Sequence, residues 1–250
     1  MNKLHILAVI PARSGSKGIS NKNLQLLGGR TLLEWAIGAS LKTPQIHRTI
    51  VSTDSLEYAQ YAMSFGAEAP FLRPPEHSLD QSGDLEFVLH LLDFLQNEEK
   101  SKVPDLIVHL RPTTPMRKPR VLEKAINETT EVRSALTAVR SVHKMSESAY
   151  KCFERDSSGK LLTVFSQNQD IEASNAGRQN FPSTYVGNGY VDILIPGEIM
   201  KTRKLHGDKV HAFETENVIE VDSIEDLELL RAIDARDSSH RVNIFGIEET

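Results

Sequence analysis

The sequence predicts an α/β protein built on a mostly parallel sheet flanked by helices, and three observations carry that prediction. An apolar run, Leu4 to Ile10, broken only by His5, reads as a buried strand and empties into a polar loop. Thr31 to Lys42 then repeats apolar residues at helical period, and Thr49 to Thr53 reads as a second strand, so strand, loop, helix and strand follow one another as a parallel sheet requires. A further buried-strand pattern, Asp105 to Leu110, runs into another loop.

Taken in order, the first loop is Ala12-Arg13-Ser14-Gly15-Ser16-Lys17-Gly18-Ile19-Ser20-Asn21-Lys22-Asn23. Gly15 and Gly18 let backbone N–H groups approach a ligand closely, and Arg13, Lys17 and Lys22 surround the same space with positive charge, which suits phosphates. The spacing matches neither a Walker loop nor a dinucleotide loop. Thr31 is placed to cap the first helix. Asp54 is either a ribose or metal ligand or, the favoured reading, the cap of a helix from Leu56 to Phe65. A short strand over Ala67 to Leu72 is expected before the turn Arg73-Pro74-Pro75. The polar stretch His77 to Asp84 is a lid or a surface connection ahead of a helix from Leu85 to Gln96.

Ligands of open α/β sheets bind outside the carboxyl ends of strands, so Arg111-Pro112-Thr113-Thr114-Pro115-Met116-Arg117 should face the same pocket as the first loop, either positioning a ligand or serving as a stiff connection. A helix over Val121 to Thr130 and a strand over Ser134 to Val142 follow. From His143 to about Val186 the pattern breaks into short polar pieces, with a hairpin-like turn at Asp156-Ser157-Ser158-Gly159-Lys160, and residues 143–186 read as an insertion in a single domain of 250 residues. Asn188 to Ile195 returns as a strand. On a strand from Val218 to Asp222, Glu220 and Asp222 would share a face, as a hard divalent ion such as Mg²⁺ prefers; the alternative has Asp222 capping a helix from Ile224 to Ile233 and Glu220 facing water. The charged tail after Ala235 is expected to be peripheral.

The lone Cys152 excludes an internal disulfide or a cysteine-cluster metal site and fits a reducing compartment. A net charge of −5 argues against general nucleic-acid binding. No apolar run is long enough for a membrane span and the N-terminus enters a strand, so a cytoplasmic protein is expected, with no room for an appended second enzyme.

The run I-P-A-R-S-G-S-K-G-I-x-x-K-N resembles the signature of the CMP-sialic acid synthetases, the acylneuraminate cytidylyltransferases. The resemblance continues through R-P-T-T-P-M-R, Arg178 to Gly189 and Glu220 to Leu227. It implies a Rossmann-like, nucleotidyltransferase-type sheet, and CTP and a nonulosonic acid as substrates. It also implies a homodimer in which the inserted subdomain mediates dimerisation and reaches the partner's active site. The nucleotide would be bound by Ala12, Ser14, Gly15, Ser16, Gly18, Lys22, Asn23, Arg73, Pro112 and Thr113, and the sugar acid by Arg111, Thr114, Lys151, Arg178, Gln179 and Asn188. Read from the residues alone, the favoured reading of Lys151 and Arg178 is solvated surface charge. Arg13 and Lys17 would stabilise the departing pyrophosphate while Mg²⁺ sits on Glu220 and Asp222, and Asp222 joins them as catalytic. Arg111, Thr114, Val186, Asp192 and Glu220 depart from the family's usual residues; the changes at Arg111, Val186 and Asp192, with R-P-T-T-P-M-R and N-G-Y-V-D-I, look more like bacterial relatives that activate legionaminic-type or other modified nonulosonic acids, while Glu220 is the feature that favours a non-catalytic relative. Rival readings are a GTP-dependent sugar-phosphate nucleotidyltransferase, a non-catalytic nucleotide-binding relative, and a dinucleotide-dependent oxidoreductase, the last disfavoured by the first loop.

Overall fold

The computed structural model describes residues 3–15, 18–79, 81–164 and 171–246. Its strands are β1 (Ile6–Pro11), β2 (Leu26–Leu27), β3 (Arg30–Thr31), β4 (Arg48–Ser52), β5 (Leu106–His109), β6 (Ala138–Lys144), β7 (Phe153–Arg155), β8 (Leu161–Thr163), β9 (Tyr185–Leu194) and β10 (Val210–Glu214). Its α-helices are α1 (Leu32–Leu41), α2 (Leu56–Ser64), α3 (Asp84–Asp93), α4 (Pro119–Val132), α5 (Pro196–Thr202), α6 (Ile224–Arg236) and α7 (Ser239–Phe245). Among the described residues the main sheet runs β10-β6-β9-β5-β1-β4, and only β9 is antiparallel to its neighbours, which bears out the mostly parallel sheet.

Alternation along β1 explains the two-sided core. Ile6, Ala8 and Ile10 face the packed side of α1, α4, α6 and α7, whereas Leu7 and Val9 face α3 and α5. An all-apolar strand therefore has to be central, because both of its faces are covered. Thr31 caps α1 as expected, accepting from the Glu34 backbone N–H while the Glu34 carboxylate accepts from the Thr31 N–H. The Asp156 turn also forms: its carboxylate accepts from Ser158 and Lys160, Gly159 takes a φ of 88°, and β7 pairs with β8. This hairpin lies within an excursion whose ends meet, since Lys144 pairs with Tyr185 in the sheet. Gln167 to Asp170 fall outside the described residues.

Several expectations are corrected. Ala67 to Leu72 is not a strand; Glu68 makes a single bridge to Ile50, and Pro70 removes a donor just beyond it. α3 starts at Asp84 and its last turn widens into a π-turn at Phe94–Glu98. α4 starts two residues before Val121, with Pro119 at its first position where a missing N–H costs nothing. β6 begins four residues after Ser134, because Arg133–Ala135 is a 3₁₀ turn. Ser55, not Asp54, caps α2, and Ser223, not Asp222, caps α6. Val218 to Asp222 is irregular chain rather than strand. The charged tail is not peripheral: Ile244 is buried, and Phe245 meets Trp35 edge-on at 5.2 Å, so α7 covers one end of the core.

Candidate active-site cleft

A cleft of about 500 Å³ opens where β1 and β5 end, as the open-sheet rule predicts. The first loop supplies Arg13, Gly18, Lys22 and Asn23; the segment beyond β4 supplies Arg73; the start of α3 with the residues before it supplies Ser82, Gly83, Asp84 and Phe87; the second loop supplies Arg111, Pro112 and Thr113; and Asp222 closes the rim. Ser16 and Lys17 lie outside the described residues.

The first loop is held from four directions. Ala12 donates its N–H to the Ser52 carbonyl at 2.9 Å, continuing the β1 to β4 pairing. The Asp54 carboxylate accepts from the Ser14 N–H and hydroxyl at 2.8 and 3.0 Å, so Asp54 braces the loop instead of capping α2. The Asn23 amide donates to the Arg13 carbonyl at 2.9 Å. Lys22 Nζ donates to the Val221 carbonyl and the Asp222 carboxylate at 3.0 and 3.1 Å, tying the loop to the chain ahead of α6. A Cβ at Gly18 would lie 3.0 Å from the Asp222 carbonyl, so this close approach favours glycine, while Gly15 has open space around it.

Arg73 is buried, stacks 4.8 Å from Phe87 and donates to the Ser52 hydroxyl and carbonyl. Burial pulls its pKa down to about 10, so it stays cationic at neutral pH. Arg111 crosses the cleft floor, with Nη2 donating to Asp84 at 2.6 Å and Nη1 3.1 Å from Asp192. The second loop is organised by Arg117, which is fully buried and donates to the carbonyls of Arg111, Thr114, Gly189 and Tyr190. The Thr113 hydroxyl donates to Glu220 at 3.0 Å, and the Val221 N–H donates to the Thr113 carbonyl at 2.7 Å. Those two bonds deliver Asp222 to the cleft without a strand.

The residues expected on the sugar acid separate. Arg111 lines the cleft. Thr114 is buried against Gly189, which has a φ of 62° and whose Cβ would stand 2.9 Å from the Thr114 hydroxyl. Asn188 is buried, donating to the Thr215 hydroxyl and accepting from the Tyr190 N–H. Arg178 and Gln179 line a separate cavity of about 430 Å³ in the excursion, where Arg178 donates to the Met145 carbonyl; Lys151 lies 5.9 Å from the Phe181 ring. None of these last three lines the main cleft. Phe87 is a cleft residue that the sequence did not mark; Asp84 entered only as the end of the expected lid or connection, and Arg117 only as the last residue of the second loop, where it proves to be a staple rather than a ligand contact.

Behind Arg111, His109 is fully buried with neither ring nitrogen hydrogen-bonded. Burial, with Arg111 nearby, lowers its pKa from 6.5 to about 4. The unfolded chain therefore binds more protons between those values: the stability contributed by a neutral His109 is complete above pH 6.5 and is lost as pH falls to about 4. His109→Gln is expected to flatten the stability profile in that window by up to about one proton, read from urea unfolding at a series of pH values. An unchanged slope would show that His109 is already protonated in the fold.

With this geometry in place, comparison with known proteins is direct. A family model described as Cytidylyltransferase matches residues 7–238. The N-acylneuraminate cytidylyltransferase of Escherichia coli O18:K1:H7 (strain RS218 / NMEC) is 28% identical over 244 residues, covering 96% of this chain and 54% of that protein, so the chain spans about half its length. The CMP-N,N'-diacetyllegionaminic acid synthase of Legionella pneumophila is 32% identical over 208 residues, covering 82% of this chain and 84% of that one. Among solved structures, CMP:2-keto-3-deoxy-manno-octonic acid synthetase complexed with CTP superposes with a TM-score of 0.68 at 17% identity over 93% of this chain and 99% of the other, a likeness of fold. The matched span holds every described residue that lines the cleft, and this chain belongs to the cytidylyltransferase family.

Proposed function

We propose that this protein transfers a cytidylyl group from CTP to the anomeric hydroxyl of a nine-carbon 2-keto sugar acid, giving the CMP-sugar and pyrophosphate. The observation that carries the reading is the single cleft in which Arg13, Lys22 and Arg73 converge with Asp222 at the carboxyl ends of parallel strands. The relatives named for N-acylneuraminate and N,N'-diacetyllegionaminic acid support the acceptor class. The departures at Arg111 and Asp192 favour the legionaminic type, and CTP is favoured over GTP by the family.

Phosphoryl transfer of this kind needs positioning and charge neutralisation more than protein-bound intermediates. Arg13 and Lys22 hold the triphosphate, joined by Lys17, and Gly15, Ser14, Ser16 and Gly18 let the loop backbone close on it. Asn23 fixes this loop through the Arg13 carbonyl. Pro112 and Thr113 stiffen the opposite wall. Thr114 and Asn188 act by supporting that wall from within.

The donor set fits Mg²⁺. Asp222 lines the cleft with its side chain 75% exposed, and no group of three or more His, Cys, Asp or Glu residues that could hold a metal occurs among the described residues. A hard ion that keeps its waters and takes phosphate oxygens needs only one or two carboxylates. Asp222 would hold the ion, with Glu220 beside it steadying Thr113. When bound, Mg²⁺ withdraws charge from the α-phosphate and lowers the pKa of the attacking hydroxyl. Lys22 balances the Asp222 charge before nucleotide enters.

Exposed apolar side chains gather on the excursion, among them Tyr150, Phe153, Leu161, Val164, Tyr185 and Val186, which supports a homodimer through this segment. Lys151, Arg178 and Gln179 would then serve the partner's cleft. Among the described residues no helix is long and apolar enough to cross a membrane, and consumption of CTP suits a cytoplasmic enzyme. Labelling the α-phosphate of CTP tests the reaction: the label should appear in the sugar product, and its appearance only in free CMP would contradict transfer.

A further inference from the structure

A further cavity, of about 320 Å³, has no part in the chemistry proposed above and shares no lining residue with the cleft. Val121 from α4, Phe213 from β10, Leu230 and Ile233 from α6, and Val218 and Ile219 give it apolar walls. The start of α4 adds the cations Lys118, Arg120 and Lys124. A pocket of this size, apolar with a few charges at one side, has the make-up of a small-molecule site. Glu214 and Glu216 line it as well, both exposed. Lys118 meets Glu216 at 3.2 Å and Lys124 meets Glu128 at 3.6 Å, surface pairs that hold their lysines weakly. Lys124 Nζ already stands 5.7 Å from the centre of the Phe213 ring, so a cation borders the apolar wall.

Cavity and cleft are nonetheless built from the same two stretches of chain. Residues 215–219 line the cavity and run on into Glu220, whose carboxylate accepts from Thr113, and into Asp222 at the cleft rim. Pro115, Met116 and Lys118 line it too, on either side of Arg117, the staple of the second loop. Met116 has a φ of 57°, a left-handed conformation that a residue with a side chain keeps only where its surroundings hold it. The His240 ring provides one such hold, donating to the Met116 carbonyl at 2.9 Å. Tyr190, another lining residue, accepts from the Lys118 N–H through its hydroxyl at 2.6 Å and from Arg117 through its carbonyl. A molecule seated here touches the residues that shape two walls of the cleft.

We propose that this cavity is an effector site for a small organic acid, one ring bearing a carboxylate arm, and that its occupation tightens nucleotide binding in the cleft. The ring packs against Phe213, Val218 and Leu230, and the carboxylate accepts from Arg120 and Lys124. The cavity exists in the conformation whose Val221 N–H bonds the Thr113 carbonyl, so a ligand that fills it favours the arrangement that brings Asp222 to the cleft. The link to nucleotide rests on the cytidylyl-transfer reading; the site itself does not.

The experiment follows the methyl signal of Met116 by NMR in protein labelled at its methionine methyl groups, with Met116→Leu to assign it. The probes are phenylacetate and indole-3-acetate, each against its uncharged amide. Both acids are expected to shift the Met116 signal and to bind up to about fivefold tighter than their amides, the range of a partly exposed ion pair. Arg120→Ala/Lys124→Ala should erase that preference, and Val121→Trp, which fills the cavity, should abolish binding of acid and amide alike. Should Val121→Trp fail to fold, the double variant on the exposed side of α4 is read alone. Calorimetric titration with CTP should then show about fivefold tighter binding when the acid is saturating, and CTP should tighten the acid by the same factor. A Met116 signal that no probe moves overturns the site, and amides that bind as well as acids, or a preference that survives the double variant, overturn the assigned contacts. Unchanged CTP affinity at saturating acid overturns the coupling. Absence of CTP binding under both conditions, with the Met116 shift intact, overturns the cytidylyl-transfer reading and the coupling while the site stands.

Discussion

Replacing Arg117 with methionine is expected to destabilise the protein by about 3–5 kcal/mol, the cost of leaving two or three buried acceptors unsatisfied, and to abolish turnover. The side chain is 1% exposed, and its guanidinium joins carbonyls on two separate stretches, Arg111 and Thr114 in the second loop and Gly189 and Tyr190 on β9. Methionine fills a comparable volume and removes the Arg117 donors from the Thr114, Gly189 and Tyr190 carbonyls, while the Arg111 carbonyl still accepts from the Thr114 N–H; each buried acceptor that water cannot reach costs about 1–3 kcal/mol. Burial lowers the Arg117 pKa to about 9, so the group remains charged at neutral pH and its hydrogen bonds stay charge-assisted. Arg117→Lys should recover little, because an ammonium cannot span acceptors that a planar fork reaches together. Urea unfolding reads the effect. A midpoint within error of wild type would mean that the second loop holds its shape without the staple.

The second large effect separates chemistry from folding. Asp222→Asn is expected to lower kcat about 10²–10³-fold, the loss typical when one preorganised electrostatic contact to a transition state is removed. Its stability should hardly change, because the Lys22 to Asp222 pair sits where the carboxylate is 75% exposed and such pairs contribute about 0–1 kcal/mol. Glu220→Gln is the control, since the amide oxygen still accepts from Thr113. Steady-state kinetics at saturating Mg²⁺ and a thermal melt suffice. Full turnover by Asp222→Asn would remove this residue from the chemistry.

What the sequence disclosed and what it hid follow from how local each signal is. Uniform apolarity in β1 could only be a doubly covered strand, and Thr31 with Glu34 three residues later closes its own capping box. The two loops were legible as one site because parallel strands deliver their carboxyl ends to the same edge. Val218 to Asp222 misled because its alternation mimics a strand, whereas the tie observed there is one backbone bond from Val221 to Thr113, which no local pattern encodes. The tail misled for the converse reason: its charges outnumber Ile244 and Phe245, whose value lies in meeting Trp35 more than 200 residues away. Asp54 and Asp192 looked like a cap and a departure from a family pattern. Their partners, Ser14 and Arg111, lie on other elements and emerge only once the sheet is assembled.

The most direct test of cytidylyl transfer is pyrophosphate release with Mg²⁺ and each of the four nucleoside triphosphates, against a panel of N-acetylneuraminate, a legionaminic acid, a pseudaminic acid and several sugar 1-phosphates. Release with CTP and a nonulosonic acid, fastest with the legionaminic type, is the expected result. Release only with GTP and a sugar phosphate would keep the cleft and contradict its assigned substrates, and no release with any pair would contradict catalysis.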